Sequence, residues 1–201
     1  PPRSTLFPYT TLFRSTNSGL TVTEIMNKAG DQIKFLYIMG ENPMLSDPDI
    51  NHVEHALNEI DFVVVQDIFL TETAALADVV LPAASFAEKD GTFTSTERRV
   101  QKVRKAVNAP GVAKSDWEIL SDVMAALGYK NKFTTSAEVM DEIASVTPSY
   151  GGMSYDRLDG DGLQWPCPTK DHPGTKFLHA SAFPRAGGKA IFLGAKYEDP
   201  R

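Results

Sequence analysis

The stretch Val63-Val64-Val65-Gln66-Asp67, followed by Thr71-Glu72-Thr73 and then by Ala77-Asp78-Val79-Val80-Leu81-Pro82, decides the fold of this chain. Neither apolar run alternates with polar residues, which fits parallel strands covered on both faces. The first run ends in an acceptor pair, Gln66-Asp67, and the second stops at a proline. A short helical turn from about Thr71 to Ala77 joins them. In open α/β sheets ligands lie outside the carboxyl ends of such strands, so Gln66, Asp67 and Thr71 are placed on a binding edge.

Working outward, Ile33 to Met39 reads as a preceding strand that breaks at Gly40-Glu41-Asn42-Pro43. Asp47-Pro48-Asp49-Ile50 reads as a helix start, with an acceptor at the N-cap and proline at the first helical position. Ile50, Val53, Leu57 and Ile60 then follow helical spacing and are expected to face the sheet. The result is a βαβαβ unit of an α/β class parallel-sheet dinucleotide-binding domain, with right-handed crossovers. Beyond it, Glu88-Lys89-Asp90-Gly91-Thr92 leads into a strand from about Arg98 to Val103. Ser115-Asp116-Trp117-Glu118 is a capping box. The helix it opens should turn Ile119, Val123, Met124 and Leu127 inward and stop at Gly128. A second box, Thr135 to Glu138, opens a helix through about Ser145. After Pro148 the prolines and glycines mark a long irregular stretch. The expected organisation is 16–148 as the α/β domain and 149–201 as a linker toward a further, truncated domain. Residues 1–15 read as a non-native junction, because Thr5 to Thr10 is half-repeated from Thr11 and carries no amphipathic period; a native N-terminal arm is the alternative.

Composition narrows the class. The 201 residues carry 42% hydrophobic and 23% charged side chains, ordinary for a globular protein. A net charge of −6 argues against nucleic acid as a partner, because phosphate binding draws on a Lys/Arg excess. No run approaches the roughly 18 apolar residues of a membrane span, so no direct membrane insertion is expected. A cytoplasmic location is the default expectation, with the periplasm as the alternative. The single cysteine, Cys167, excludes an internal disulfide framework and reads as a structural thiol.

Several residues have the chemistry of a binding edge. Gly40 lets the backbone turn tightly beside a ligand, and Asn42 offers donors and an acceptor; an ordinary strand-to-helix turn explains the same residues. Asp67 can accept two hydrogen bonds from a ribose diol or a guanine edge, or can cap the following turn. Thr92, Thr94, Ser95 and Thr96 before Arg98-Arg99 form a hydroxyl-rich stretch suited to a pyrophosphate, whereas Lys102, Arg104 and Lys105 read as a solvated strand edge. Asp116 is placed at the first position of its helix, where the dipole favours it. His52 and His55 share a helix, without a third ligand to complete a metal site. Nucleophile-elbow, zinc-protease, P-loop and Rossmann signatures are missing.

Four segments in order, Tyr37 to Pro43, Val65 to Ala74, Ala77 to Pro82 and Glu88 to Gln101, resemble the molybdopterin oxidoreductase family. Within it the chain looks most like the catalytic (alpha) subunit of molybdenum- or tungsten-dependent formate dehydrogenases. Gly162 to Pro168 and Asp171 to Thr175 add to that likeness, which runs from about Gly19 to the end. The resemblance implies an enzyme that oxidises formate to carbon dioxide. It also implies two molybdopterin guanine dinucleotides (bis-MGD) around molybdenum or tungsten, and an iron–sulfur cluster outside this stretch. The implied partners are formate and iron–sulfur or diaphorase-type electron-transfer subunits. By the same likeness Gly40, Asn42 and Pro43 contact the guanosine part of one dinucleotide. Gln66 and Asp67 hold its ribose or base, Thr71 its phosphate region, Gly91 and Arg99 line the site, and Asp116 meets the guanine. No catalytic residue and no metal ligand is assigned, since those of the family fall upstream of the matching segments, and this stretch alone is expected to be inactive. The alternatives are another oxidoreductase of the family, acting on nitrate, a sulfoxide or an arsenic oxyanion, or a non-catalytic scaffold relative.

Overall fold

The two apolar runs form neighbouring parallel strands. A computed structural model of the chain describes residues 19–130, 133–194 and 196–197; the stretch read as a junction lies outside them. Strands β1 (Phe35–Met39), β2 (Phe62–Asp67) and β3 (Val79–Pro82) make a parallel sheet in the order β1-β2-β3. Met39 is opposite Gln66, and Asp67 is opposite Pro82, so the three carboxyl ends share one edge. A short helix, α1 (Val22–Met26), precedes the sheet, and the crossovers are helices: α2 (Pro43–Ser46) and α3 (Ile50–Glu59) after β1, and the single turn α4 (Glu72–Ala75) after β2.

Pleating divides the sheet residues between two faces. Ile38, Val63 and Val65 point to the helical side, where they pack with Val53, Leu57 and Ile60 of the α3 region and with Ala74 of α4. Phe35, Tyr37, Met39, Val64 and Gln66 point to the other side, where Phe35, Met39 and Phe62 are exposed. The Phe35 and Phe62 rings lie there 6.1 Å apart. The expectation of a second strand buried on both faces is not met. β3 is an edge strand with Val79 and Val80 exposed, because among the described residues no strand pairs with its free side. Its apolar sequence asks for a neighbour and a second layer that these residues do not contribute.

Two further details depart from expectation. The N-cap of α3 is Asp49, whose Oδ1 accepts the His52 N–H at 3.1 Å, while Asp47 Oδ1 accepts the Asp49 N–H at 3.0 Å. Pro48 therefore precedes the cap. Proline at a helix start occurs one helix earlier, at Pro43 behind Asn42. Ile50 is exposed, because the covered stripe begins a turn later at Val53.

A hairpin of β4 (Gly91–Thr94) and β5 (Arg99–Val103) is extended by the two-residue β6 (Leu163–Gln164) into an antiparallel sheet. Thr92 and Thr94 therefore lie on β4, and Ser95, Thr96 and Arg98 in the tight turn that leads into Arg99 on β5. Helices α5 (Asp116–Ala126) and α6 (Ser136–Val146) follow it. Ile119 of α5 is buried, but Leu127 is exposed just before Gly128 takes φ +90° and ends the helix. Among the described residues no helix is long and apolar enough to cross a membrane.

Residues 149–175 hold little regular structure, as their prolines and glycines imply, yet they are packed. A second core joins Val100, Met140, Met153, Leu158 and Cys167. Two arginines hold main-chain carbonyls there in place of a ladder. Arg157 donates to Gly152 O, to Thr169 O at 3.4 Å and to His172 O at 2.7 Å. Arg98 donates to the carbonyls of Trp165, Thr175 and Lys176 and lies over the Trp165 ring. The capping box of α6 is formed, with the Glu138 N–H 3.2 Å from Thr135 Oγ1. Thr135→Ala should cost about 1 kcal/mol of stability, read as a shift in the urea midpoint at unchanged slope.

Candidate nucleotide-binding edge

Each strand of the parallel sheet delivers one turn to the shared edge. After β1, Gly40 takes φ +62°, a conformation that L side chains rarely adopt, and an added Cβ would meet nothing within 4 Å. The turn is tied to β2 by Gly40 N–H donating to Gln66 O at 2.9 Å. Asn42 is a clip: its Oδ1 accepts from Thr73 Oγ1 at 2.6 Å and its Nδ2 donates to Glu72 Oε2 at 2.8 Å. That bond holds the Glu72 carboxyl below its usual range. Buried Pro43 starts α2. Asn42 thus joins the first crossover to the second, together with the Met44 N–H, which donates to Thr73 Oγ1 at 3.1 Å.

After β2, Asp67 Oδ1 accepts the Phe69 N–H at 3.1 Å, closing a turn, and Thr71 Oγ1 accepts the Ala74 N–H at 3.1 Å as the N-cap of α4. The helix-capping alternative for Asp67 is therefore taken by Thr71. The intervening Ile68, Phe69 and Leu70 are all exposed. Asp67 Oδ2 has no hydrogen bond among the described residues and is free to accept.

Gln66 and Asp116 form a second group beside the first. Gln66 is 0% exposed. Its Oε1 accepts from the Tyr37 hydroxyl, and its Nε2 donates to Asp116 Oδ1 at 2.8 Å. Asp116 Oδ2 pairs with Lys89, whose ammonium lies 5.9 Å from the Phe93 ring centroid. Burial first, and the Asp116 charge second, raise the Tyr37 phenol above its usual value, so it remains a donor across the neutral range. A third of the Asp116 side chain stays open to solvent.

The other residues named for the site are elsewhere. Gly91 opens β4 opposite Val103, two residues beyond Lys89. Arg99 is at the other end of the hairpin, opposite Gln164. Its Nε lies 2.7 Å from Glu97 Oε1 and its Nη1 donates to the Asp161 carbonyl; the Glu97 bond raises the guanidinium pKa. The structure brings Gly40, Asn42, Pro43, Asp67 and Thr71 to one edge, adds Gln66 and Asp116 beside them, and leaves Arg99 on the antiparallel sheet. Tyr37 and Lys89 complete the polar group and were not singled out from sequence. Tyr37 is the one polar-tipped side chain in the apolar run of β1, and that was the available signal.

Two cavities flank this group. One of about 340 Å³ is lined by Ala84, Lys89, Lys105, Lys114, Ser115 and Trp117. The other, about 310 Å³, lies between β3 and α5 among Leu81, Pro82, Val112, Ile119, Val123 and Ala126. Among the described residues no group of three or more His, Cys, Asp and Glu is placed to hold a metal.

Residues 11–126 match the family model described as molybdopterin oxidoreductase. The chain is 58% identical over 90% of its length to the F420-dependent formate dehydrogenase 2 subunit alpha of Methanococcus maripaludis. It is 56% identical over 91% of its length to the F420-dependent formate dehydrogenase subunit alpha of Methanocaldococcus jannaschii. It spans 27% and 28% of those two relatives. Among solved structures, acetylene hydratase from Pelobacter acetylenicus shares the fold, with a TM-score of 0.54 at 20% identity, covering 67% of this chain and 19% of that one.

Proposed function

The chain belongs to the molybdopterin oxidoreductase family, and from that premise we propose that it is the part of a formate dehydrogenase alpha subunit that cradles one guanine dinucleotide of a bis-MGD cofactor. The observation that carries this reading is the make-up of the carboxyl end of β2 beside the positive-φ turn at Gly40: Asp67 keeps one oxygen unbonded, and the neighbouring Gln66 amide holds the part-open Asp116.

The residues present fit a guanosine phosphate. Gly40 leaves open space where the backbone must be approached closely. In this reading the free oxygen of Asp67 accepts from the ribose diol, Asp116 accepts from the guanine edge, and the Thr71 hydroxyl, which already accepts from Ala74 N–H, donates to phosphate. Asn42 and Pro43 set the shape of the edge through their bonds and packing, and Gly91 follows the Lys89 that pairs Asp116. Arg99 keeps a structural place on the hairpin. The bound cofactor supplies the two-electron chemistry by which formate would yield carbon dioxide, one proton and two electrons. The chain's own residues bind and orient the dinucleotide half of it. Electron-transfer subunits of iron–sulfur or diaphorase type would carry the electrons away.

The test is to purify the intact subunit that contains this sequence and measure three things: molybdenum and tungsten, guanine nucleotide released by acid, and formate-dependent dye reduction. All three are expected. Metal and nucleotide without formate oxidation would move the protein to another activity of the family. Absence of both from a folded subunit would sink the cofactor assignment and leave a scaffold.

A further inference from the structure

Gln66 is fully buried and each end of its amide is bonded within the fold, so it presents no atom to the surface. That is inconsistent with direct contact to a ligand and consistent with a role exerted through its neighbours. Amide orientation follows from charge. Turned the other way, Gln66 Oε1 would face Asp116 Oδ1, acceptor against acceptor, in a site with little water to screen them. The NH2 group therefore faces Asp116, which leaves Oε1 toward Tyr37 and makes the hydroxyl the donor. On the far side, Lys89 occupies Oδ2, and its side chain is itself only 17% exposed. Each carboxylate oxygen of Asp116 thus receives one donor from inside the fold. The lone pairs that remain belong to the open third of the side chain.

Resting on the reading of this edge as a guanine-nucleotide site, we infer that Tyr37, Gln66 and Lys89 are positioning residues for Asp116: they hold both of its oxygens as outward acceptors and so select a purine with two adjacent donors over one with a single donor. A carboxylate free to rotate about its last bond would pay an ordering cost for each such contact, and one held from behind has already met it. Discrimination should then depend on residues that never touch the base. Guanine presents a ring N–H and an exocyclic amine together, whereas hypoxanthine presents the ring N–H alone.

The experiment compares GDP with IDP, which differ only by that exocyclic amine, by titration calorimetry on the folded intact subunit that contains this sequence, purified free of cofactor. The wild type should bind GDP more tightly than IDP by roughly tenfold or more, since loss of one hydrogen bond to a charged group is at stake. Asp116→Asn should abolish that preference. Tyr37→Phe, which keeps the ring and its packing, and Lys89→Met should each cut it several-fold, weakening IDP, which keeps one contact to Asp116, by less than GDP. Lys89→Arg, which restores a donor to Oδ2, should recover it. An intact preference in Tyr37→Phe and Lys89→Met, with Asp116→Asn having lost it, would overturn the positioning role and keep the nucleotide site. Equal loss for both nucleotides in Tyr37→Phe and Lys89→Met would reduce these residues to structural support, and that too overturns the inference. A wild type that binds both nucleotides equally, or neither, overturns the reading of the edge and the inference with it.

Discussion

Gly152→Ala is expected to lower the stability of the chain by about 3 kcal/mol or more, which is beyond the usual cost of adding one methyl group to a core. A Cβ at this position would lie 2.0 Å from Thr169 O, 2.5 Å from Thr169 C and 3.0 Å from Cys167 O. All three atoms are backbone, so no side-chain rotation relieves the contact. Moving the 167–169 segment away has its own cost. Gly152 N–H donates to Cys167 O at 2.7 Å, and the Arg157 guanidinium grips Gly152 O, Thr169 O and His172 O together. Separation would lengthen those bonds and open the core around Met153, Leu158 and Cys167. Cys167 provides a local probe, being the chain's only cysteine and fully buried. A thiol reagent should label it slowly in the wild type and at least tenfold faster in Gly152→Ala, since exposure controls access to a thiol. Gly194→Ala, where an added Cβ meets nothing within 4 Å, should stay within about 0.5 kcal/mol of wild type. A Gly152→Ala protein with an unshifted denaturation midpoint and wild-type labelling would show that residues 149–175 are not packed as described.

Those residues also mark where the sequence stopped being legible. Strands β1 to β3 could be read because continuous apolar runs carry a strong signal, and the helices because their caps are local: Thr135 and Glu138 bond within one turn. The second core has no such period. Its buried members, Val100, Met140, Met153, Leu158 and Cys167, come from four separate segments, and what fixes the irregular part is a pair of arginines reaching carbonyls up to 78 positions away. Arg98 and Arg99 illustrate the loss. In sequence they are two cations beside hydroxyls, the composition of an anion site; in the fold one is consumed by carbonyls and the other by Glu97. Nothing in a neighbouring-residue pattern separates these uses.

The binding edge shows the complementary limit. That the turns after β1 and β2 share an edge follows from parallel topology alone, and the register of Met39 with Gln66 and of Asp67 with Pro82 agrees with it. Which side chains still have capacity for a ligand does not follow. Gln66 and Asp67 are adjacent and equally polar, yet the pleat sends them to opposite faces. One disappears into a buried network, and the other keeps an oxygen unoccupied. The exposure of β3 and of Phe35 and Phe62 has a similar origin: the apolar pattern records the surroundings in which the sequence is used, and relatives are more than three times as long as the matched stretch.

Asp67→Ala should weaken GDP binding by roughly 10- to 100-fold, the range expected when a charged acceptor loses its bonds to a ligand. Unlike the variants behind Asp116, it should weaken IDP by the same factor, because the ribose diol assigned to Asp67 is common to both nucleotides. The two carboxylates of the edge are thereby separable, one governing affinity and the other base choice. Misfolding does not account for such a loss. Within the fold Asp67 makes one side-chain bond, to the exposed Phe69 N–H, and removing it should cost about 1 kcal/mol, a small shift in thermal midpoint. Asp67→Asn retains an acceptor for that N–H but no charge, and should fall between alanine and wild type. In the intact subunit the same substitution should lower metal content and formate oxidation in parallel, since a dinucleotide that is not held cannot keep its metal in place. GDP affinity and metal content both at wild-type levels in Asp67→Ala would remove this residue from the site, and with it the strand-edge argument on which the assignment of the nucleotide stands.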